Sequence, residues 1–311
     1  MTSTIRFGVT LPQIKRSWED TRAAATELDT LGYDSAWVCD HLYGVPMPNL
    51  PILEAYSLLA AVAAVTTRLE LGALVTPPFF RNPAVLAKQI ATIDHIAGGR
   101  MIAGLGSGWF ASEFEGYGCE FPPVARRLDA LEDTCRILQA MWTQEQPSHQ
   151  GKVFSIQDVY CEPKPLRQPR ILIGGGGEKV LLKLAARYAD IWNNLAVNQS
   201  DLARKVAVLH EHCQREGRDA SQLEISQQCL VVIAPTMAEA EQSIAKAERI
   251  YGGHMGAGLR DHGIWGDPPA VVEKIRRYAA MGCGHFIIEF FGKDLREPAR
   301  LLAETVVPAF R

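Results

Sequence analysis

The chain has 311 residues, 47% of them hydrophobic and 22% charged, with a formal net charge of -3. That length suits one large or two ordinary domains, and α/β barrels fill this range as a single unit with a sizeable core. A near-neutral balance without a basic run of five or more residues argues against nucleic acid or an anionic membrane as partner and leaves small-molecule chemistry.

Seven cysteines (Cys39, Cys119, Cys135, Cys161, Cys213, Cys229 and Cys283) are scattered and never form CxxC, so neither a disulfide framework nor a zinc ribbon is expected, and no metal. They read as reduced thiols of a soluble, cytoplasmic protein. Residues 1–12 lack a basic segment followed by an apolar run, and the uncharged stretch 55–67 is too short to span a bilayer.

Short apolar runs alternate with helical patterns from end to end. Residues 5–10, 35–38, 69–75, 101–105, 171–173, 190–193, 225–233 and 285–290 read as eight strands. Between the third and fourth, Asn82 suits an N-cap and Pro83 a first helical position, with Leu86, Ile90 and Ile93 turned inward. After the fourth, Leu128, Leu131, Cys135, Leu138 and Trp142 recur at spacings of three and four and give a helix one apolar face. Eight strands alternating with helices predict a (β/α)8 TIM barrel rather than an open sheet, a single domain with insertions at its C-terminal face, the main one around residues 106–169. Within that insertion, residues 150–154 and 158–161 are expected to pair as a small hairpin. No linker, repeat or low-complexity tract divides the chain.

In such a barrel the active site lies where strands end. The second strand ends at Asp40-His41, a carboxylate beside an imidazole that can move a proton near neutral pH; capping of a turn is the plainer role for the pair. The third leaves through Thr76-Pro77-Pro78-Phe79-Phe80-Arg81-Asn82-Pro83, a stiff exit suited either to covering a flat ligand or to punctuation before a helix. The fourth ends in Gly104-Leu-Gly106-Ser107-Gly108-Trp109-Phe110, with Glu113 and Glu115 close behind. Its glycines permit close backbone approach or simply form a turn, Ser107 can hydrogen-bond a phosphate or ring oxygen, and Trp109 can cover an aromatic ring.

The fifth strand runs into Gly174-Gly175-Gly176-Gly177, with a helical pattern from about Lys179. Consecutive glycines at a helix start expose N–H groups and the helix dipole to an anion, phosphate above all. The spacing matches neither the GxxxxGK[ST] loop nor the GxGxxG fingerprint, and a plain flexible turn is the alternative.

Taken together, Gly32-Tyr-Asp-Ser-Ala-Trp-Val-Cys-Asp40-His41, Leu71-Gly-Ala-Leu-Val-Thr-Pro77, Arg81-Asn-Pro83-Ala, Ala97-Gly-Gly-Arg100 through Trp109, Glu113-Phe, Ile173-Gly-Gly-Gly-Gly177 and Ala185-Ala-Arg-Tyr-Ala-Asp190-Ile-Trp-Asn resemble the luciferase-like monooxygenase superfamily, especially its coenzyme F420-dependent oxidoreductases. The resemblance implies a homodimeric barrel with a flavin or deazaflavin ring at its mouth, held by Ala73, Leu74, Thr76, Ser107, Gly108 and Trp109, and the cofactor phosphate on Gly174 to Gly177. It implies a non-proline cis peptide behind the ring, by position between Ala73 and Leu74. His41 would carry the proton during hydride transfer, supported by Asp40. Where sugar-phosphate dehydrogenases of the superfamily carry an acid after the fourth-strand glycines this chain has Trp109, so a more apolar substrate pocket is expected, with Phe79, Phe80 and Trp109 as walls and the second acid either absent or supplied by Glu113.

These readings give an F420-dependent oxidoreductase acting on a small organic substrate. The alternatives are an FMN-dependent two-component monooxygenase, which needs a separate reductase, and a flavin-binding barrel without turnover. Arg126, Arg127, Lys164, Arg167 and Arg170 are the candidate basic residues for the anionic F420 tail, with plain surface solvation as the commoner role of such charges.

Overall fold

Apolar runs become strands where the sequence places them. The computed structural model describes residues 4–45, 47–251 and 258–311, and among these the strands are β1 (Arg6–Thr10), β2 (Ser35–Val38), β3 (Glu70–Ala73), β4 (Met101–Leu105), β5 (His149–Gln150), β6 (Ser155–Ile156), β7 (Arg170–Gly174), β8 (Ile191–Asn194), β9 (Glu224–Ile233), β10 (Ile264–Gly266) and β11 (His285–Phe290). Eight pair in parallel in the order β9-β11-β1-β2-β3-β4-β7-β8, and β8 joins β9 to close the ring. This is the TIM barrel, made of the eight runs expected. β10 lies beside the end of β9, with Ile264 opposite Val231; three residues are too few to show a period in the sequence.

The helices between strands follow their signals. Asn82 accepts from the N–H groups of Ala84 and Val85 at 2.9 and 3.4 Å, and the helix Pro83–Ala97 then buries Leu86, Ile90 and Ile93. It stops at Gly98, whose φ of 64° is the left-handed cap conformation. The helix Val124–Thr143 buries Leu131, Cys135, Leu138 and Trp142 against the barrel, each large side chain contributing roughly 1.5–3 kcal/mol. The hairpin within residues 106–169 forms earlier than expected, with His149 opposite Ile156. Asp133 explains the shift, because its carboxylate accepts from the N–H groups of Val153 and Phe154 at 2.7 and 3.1 Å and holds them in the turn.

Inside the ring, alternate strands contribute side chains in layers. The lowest layer is charged: Arg6, Glu70, Arg170 and Glu224 begin β1, β3, β7 and β9. Arg170 lies 2.9 Å from Glu70 and 2.6 Å from Glu224, Arg6 lies 3.1 Å from Glu224, and Arg6 also pairs with Glu70. Arg170, and Arg167 at 3.3 Å from Glu70, therefore belong to the barrel floor rather than to a cofactor tail. Above this layer Trp37 fills the interior with Ile102, Leu172, Ile191 and Ile287. A Cβ on Gly8 or Gly72 would stand 2.7 Å from the indole, so these strands carry glycine to admit it.

His285 links the two layers: its Nε2 is 2.9 Å from Ser35 Oγ, which accepts from Trp37 Nε1, and its Nδ1 is 2.8 Å from Glu224. Burial lowers the His285 pKa although Glu224 opposes it. For Glu224 burial acts upward, but His285, Arg6 and Arg170 outweigh it and hold the carboxyl well below the usual range. A depressed folded pKa stabilises above the ordinary glutamate range, and that contribution fades as pH falls through it. Glu224→Gln should cost about 3 kcal/mol at neutral pH, the low end of the range for broken buried pairs because Glu224 keeps 18% exposure. Urea melts should also show a shallower stability loss for the variant than for the wild-type protein between about pH 6 and pH 3; equal slopes would remove Glu224 from the acid response.

Candidate functional site

The C-terminal ends of the strands bring Asp40, His41, Thr76, Ser107 to Trp109 and the four glycines to one rim. β2 ends at Val38, and Gln13 fixes the next residue, accepting from Cys39 N–H at 2.9 Å while its amide donates to the carbonyls of Cys39 and Leu53. His41 Nδ1 then meets Glu113 Oε2 at 2.8 Å, and Glu113 Oε1 accepts from the N–H groups of Leu42 and Tyr43 at 2.5 and 3.3 Å. Glu113 is fully buried. As an acceptor from two backbone donors, it takes Nδ1–H and leaves Nε2 as the imidazole nitrogen able to exchange a proton at the mouth.

This corrects two expectations. Glu113, the candidate second acid for the substrate, instead pairs with His41, and Asp40 does not support His41. Asp40 instead receives a fork from Arg81, at 2.5 and 3.1 Å, while Arg81 also reaches Glu54 at 2.5 Å and lies 4.6 Å above the Tyr56 ring. Tyr56 and Thr76 hydroxyls are 2.9 Å apart, and Thr76 bonds Asp40. Burial raises the Asp40 pKa, and Arg81 opposes it without reversing the shift. The buried Thr76 side chain is thus part of this anchor; its backbone pairs with β4, donating to the Gly104 carbonyl at 2.9 Å and accepting from Gly106 at 3.0 Å.

The cis peptide lies between Leu74 and Val75, one residue later than expected. Ala73 packs in the outer core, while Leu74 and Val75 pack on the inner cluster around Trp37. The ring-facing role expected of Ala73 therefore does not extend to its side chain.

At the end of β7, Gly174 sits so close to Val75 that a Cβ would stand 2.9 Å from its methyl, and Gly175 has a φ of 137°. On Gly176 a Cβ would stand 2.4 Å from Asn198 Nδ2 and 3.1 Å from Lys205 Nζ. Gly177 is exposed, and the helix Leu181–Tyr188 that follows has no side-chain cap. Lys205, buried, donates to the Gly176 carbonyl at 2.7 Å and lies 3.4 Å from Glu178. Backbone without side chains, a helix start and an ammonium group make this turn chemically suited to a phosphate. Beside it in register with Gly174, Asn193 is fully buried, accepts from Ser226 Oγ at 3.0 Å and has no hydrogen-bond partner for Nδ2. Such a donor inside the barrel fits a polar ring atom.

The aromatic residues divide. Trp109 is 55% exposed and meets His41 edge-on at 6.1 Å between centroids. Phe80 packs on Phe114 at 4.3 Å and Phe79 on Phe154 at 5.5 Å, so both brace surrounding loops. Half-buried Ser107 and Gly108, with a φ of 75°, lie between Trp109 and the β4 exit. A second carboxyl, which the sequence did not single out, comes from the third inward position of β11: Glu289 follows His285 and Ile287, bonds Tyr251 and is pushed up by burial. Arg81 was visible only as part of a motif, and Lys205 was not singled out.

Residues 1–255 match the family described as luciferase-like monooxygenase. An F420-dependent glucose-6-phosphate dehydrogenase of Kineococcus radiotolerans is 26% identical over 92% of this chain and 91% of its own length. An FMNH2-dependent dimethylsulfone monooxygenase of Pseudomonas putida is 30% identical over 64% of this chain and 56% of its own. Mycobacterial proteins without an assigned activity match at 34% identity, and the chain spans 58% of their length. Among solved structures, an F420-dependent secondary alcohol dehydrogenase superposes with a TM-score of 0.88 over 99% of both chains at 21% identity, a likeness of fold. Both F420 and FMN thus occur among the relatives. No helix of the described residues is long and apolar enough to cross a membrane.

Asp40 and His41, adjacent in sequence, should respond differently to substitution. Asp40→Asn leaves the Arg81 charge buried with weaker compensation and should cost about 2–4 kcal/mol, whereas His41→Ala should cost less, about 1–2 kcal/mol, because the buried Glu113 keeps two backbone donors. Thermal melts of the two variants measure this directly; an unchanged midpoint for Asp40→Asn would contradict its anchoring role.

Proposed function

The chain belongs to the luciferase-like monooxygenase family, and we propose that it is an oxidoreductase that transfers hydride between coenzyme F420 and a small organic substrate. The observation that carries this reading is the His41–Glu113 pair at 2.8 Å on the rim that also holds the glycine turn. When bound, the deazaflavin supplies the carbon that accepts or gives hydride. Hydride transfer to or from a carbonyl–alcohol pair leaves one proton to be moved at oxygen. His41 Nε2 holds or receives that proton, while Glu113 fixes the ring and balances the charge that develops on it.

Gly175 to Gly177 with Lys205 would hold the cofactor phosphate, and Asn193 Nδ2 would donate to the ring. Trp109 shields the mouth from water and favours an apolar substrate over a sugar phosphate. Glu289, whose pKa burial raises, would be a second carboxyl able to hydrogen-bond a substrate oxygen.

An FMN-dependent monooxygenase working with a separate reductase is the competing reading, carried by the dimethylsulfone monooxygenase among the relatives. Separate titrations of the purified protein with F420 and with FMN, followed by cofactor fluorescence, decide between them. Binding of F420 in preference to FMN is expected; tight FMN binding without an F420 response reverses the assignment. With F420 and a panel of small alcohols, or its reduced form and the corresponding ketones, His41→Ala should lower turnover about 10²–10⁴-fold while leaving cofactor affinity nearly unchanged. Undiminished turnover in that variant would show that another group moves the proton.

A further inference from the structure

The carboxyls of the barrel interior and rim are paired with cations of the protein itself, except at one strand end. Glu70 and Glu224 meet Arg6 and Arg170, Asp40 meets Arg81, and Glu113 meets His41. Glu289 has only Tyr251 as a partner among the described residues, and burial raises its pKa with no cation opposing the shift. A carboxyl taken from water without a countercharge carries a desolvation cost that a folded chain seldom leaves uncompensated.

Its position is on the side of the mouth left to the substrate. Along β11, His285 reaches Ser35 and Ile287 joins the Trp37 cluster, so the two-residue alternation turns Glu289 inward one layer higher. The residue is part-exposed, and a ligand in the mouth can reach it. Burial and then Glu289 push the Cys39 thiol up to about 12, which sets the carboxyl near the β2 exit that carries His41. In the closed ring β11 lies between β9 and β1 and so stands opposite β4. The cis peptide follows β3 and the glycine turn follows β7, the two neighbours of β4. A cofactor held by these three exits leaves the β11 side free.

We propose that Glu289 is the receptor for a cationic amine on the substrate, which is thus a basic amino alcohol or the corresponding amino ketone, held by Glu289 at its ammonium end and by His41 at its oxygen. The inference rests on the oxidoreductase reading given above and sharpens it, since the partner of Glu289 becomes a nitrogen cation rather than an oxygen. An ammonium group supplies the missing countercharge, and the carboxyl releases its proton to solvent as the pair forms. A substrate with a phosphate or carboxylate at that end would meet a carboxyl it cannot compensate.

Three secondary alcohols of one carbon skeleton, ending in a methyl, an ammonium or a carboxylate group, test this at neutral pH. Their dissociation constants come from titration calorimetry of the purified protein, alone and with F420 or FMN added, and their turnover is followed with F420. The wild-type protein should bind the ammonium alcohol tenfold or more tighter than the methyl one, and the carboxylate most weakly. Glu289→Gln should abolish that preference while leaving the methyl alcohol within about twofold. Tyr251→Phe, which keeps the carboxyl, should retain the preference. A carboxyl that only ties the helix Met237–Tyr251 to the barrel would instead lower the melting temperature in both variants and weaken all three alcohols alike. That result, or a wild-type protein without preference for the ammonium alcohol, overturns the proposal and leaves the hydride-transfer reading to its own test. Selective binding of the ammonium alcohol without turnover of any of the three keeps Glu289 as an amine receptor and counts against hydride transfer.

Discussion

The charged layer at the bottom of the barrel is the constraint on which the rest depends. Two arginines and two glutamates from alternate strands meet in a space that excludes most water, so each must find its partners or impose a desolvation cost of several kcal/mol. A one-residue slip of any of these strands would turn its charged residue to the outer face and leave the others unpaired. The layer thereby sets the strand register from below, and Trp37, bonded through Ser35 to His285, carries it upward. With parallel strands of four to ten residues, a register fixed at the floor fixes the height of every residue at the rim.

On the rim the two neighbours Asp40 and His41 have separate partners. Asp40, with Arg81, Thr76 and Tyr56, ties the β2 exit to the β3 exit, while Glu113, on the short helix after β4, holds His41. The imidazole is thus oriented by an element that follows a different strand from its own. Glu113 also accepts two backbone N–H groups from the loop carrying His41, so placement of the loop and orientation of the ring are one event. A carboxylate serving only as a turn cap would not need an imidazole beside it, and one serving only the imidazole would not hold Leu42 and Tyr43.

Much of the fold was legible because strand and helix periods are local. The eight barrel strands, the Asn82-Pro83 helix start and the gathering of Asp40, His41 and the glycines at one rim follow from spacing of a few residues. The partner of His41 was not, because Glu113 is 72 residues away and Asp40 is adjacent. Sequence proximity favoured the wrong carboxylate. Several motif residues behind the family resemblance maintain the barrel itself: Asp34 accepts from Phe7 N–H at 2.7 Å and Asp190 from Ile171 N–H at 2.8 Å, each tying a strand start to its neighbour. Arg100 closes a helix end on the carbonyls of Ala97, Thr66 and Leu69 at 2.5 to 2.7 Å. A resemblance resting on such residues speaks for the barrel more than for its chemistry.

The two ends of the barrel differ in how completely their polar groups are paired. At the floor, Arg6, Glu70, Arg170 and Glu224 compensate one another. Toward the mouth, Asn193 keeps a buried amide donor unpaired. That is costly if permanent, since a buried donor without an acceptor loses its hydration for nothing. A ligand that brought an acceptor to it would recover the cost, and the paired floor allows the fold to tolerate the deficit at the other end.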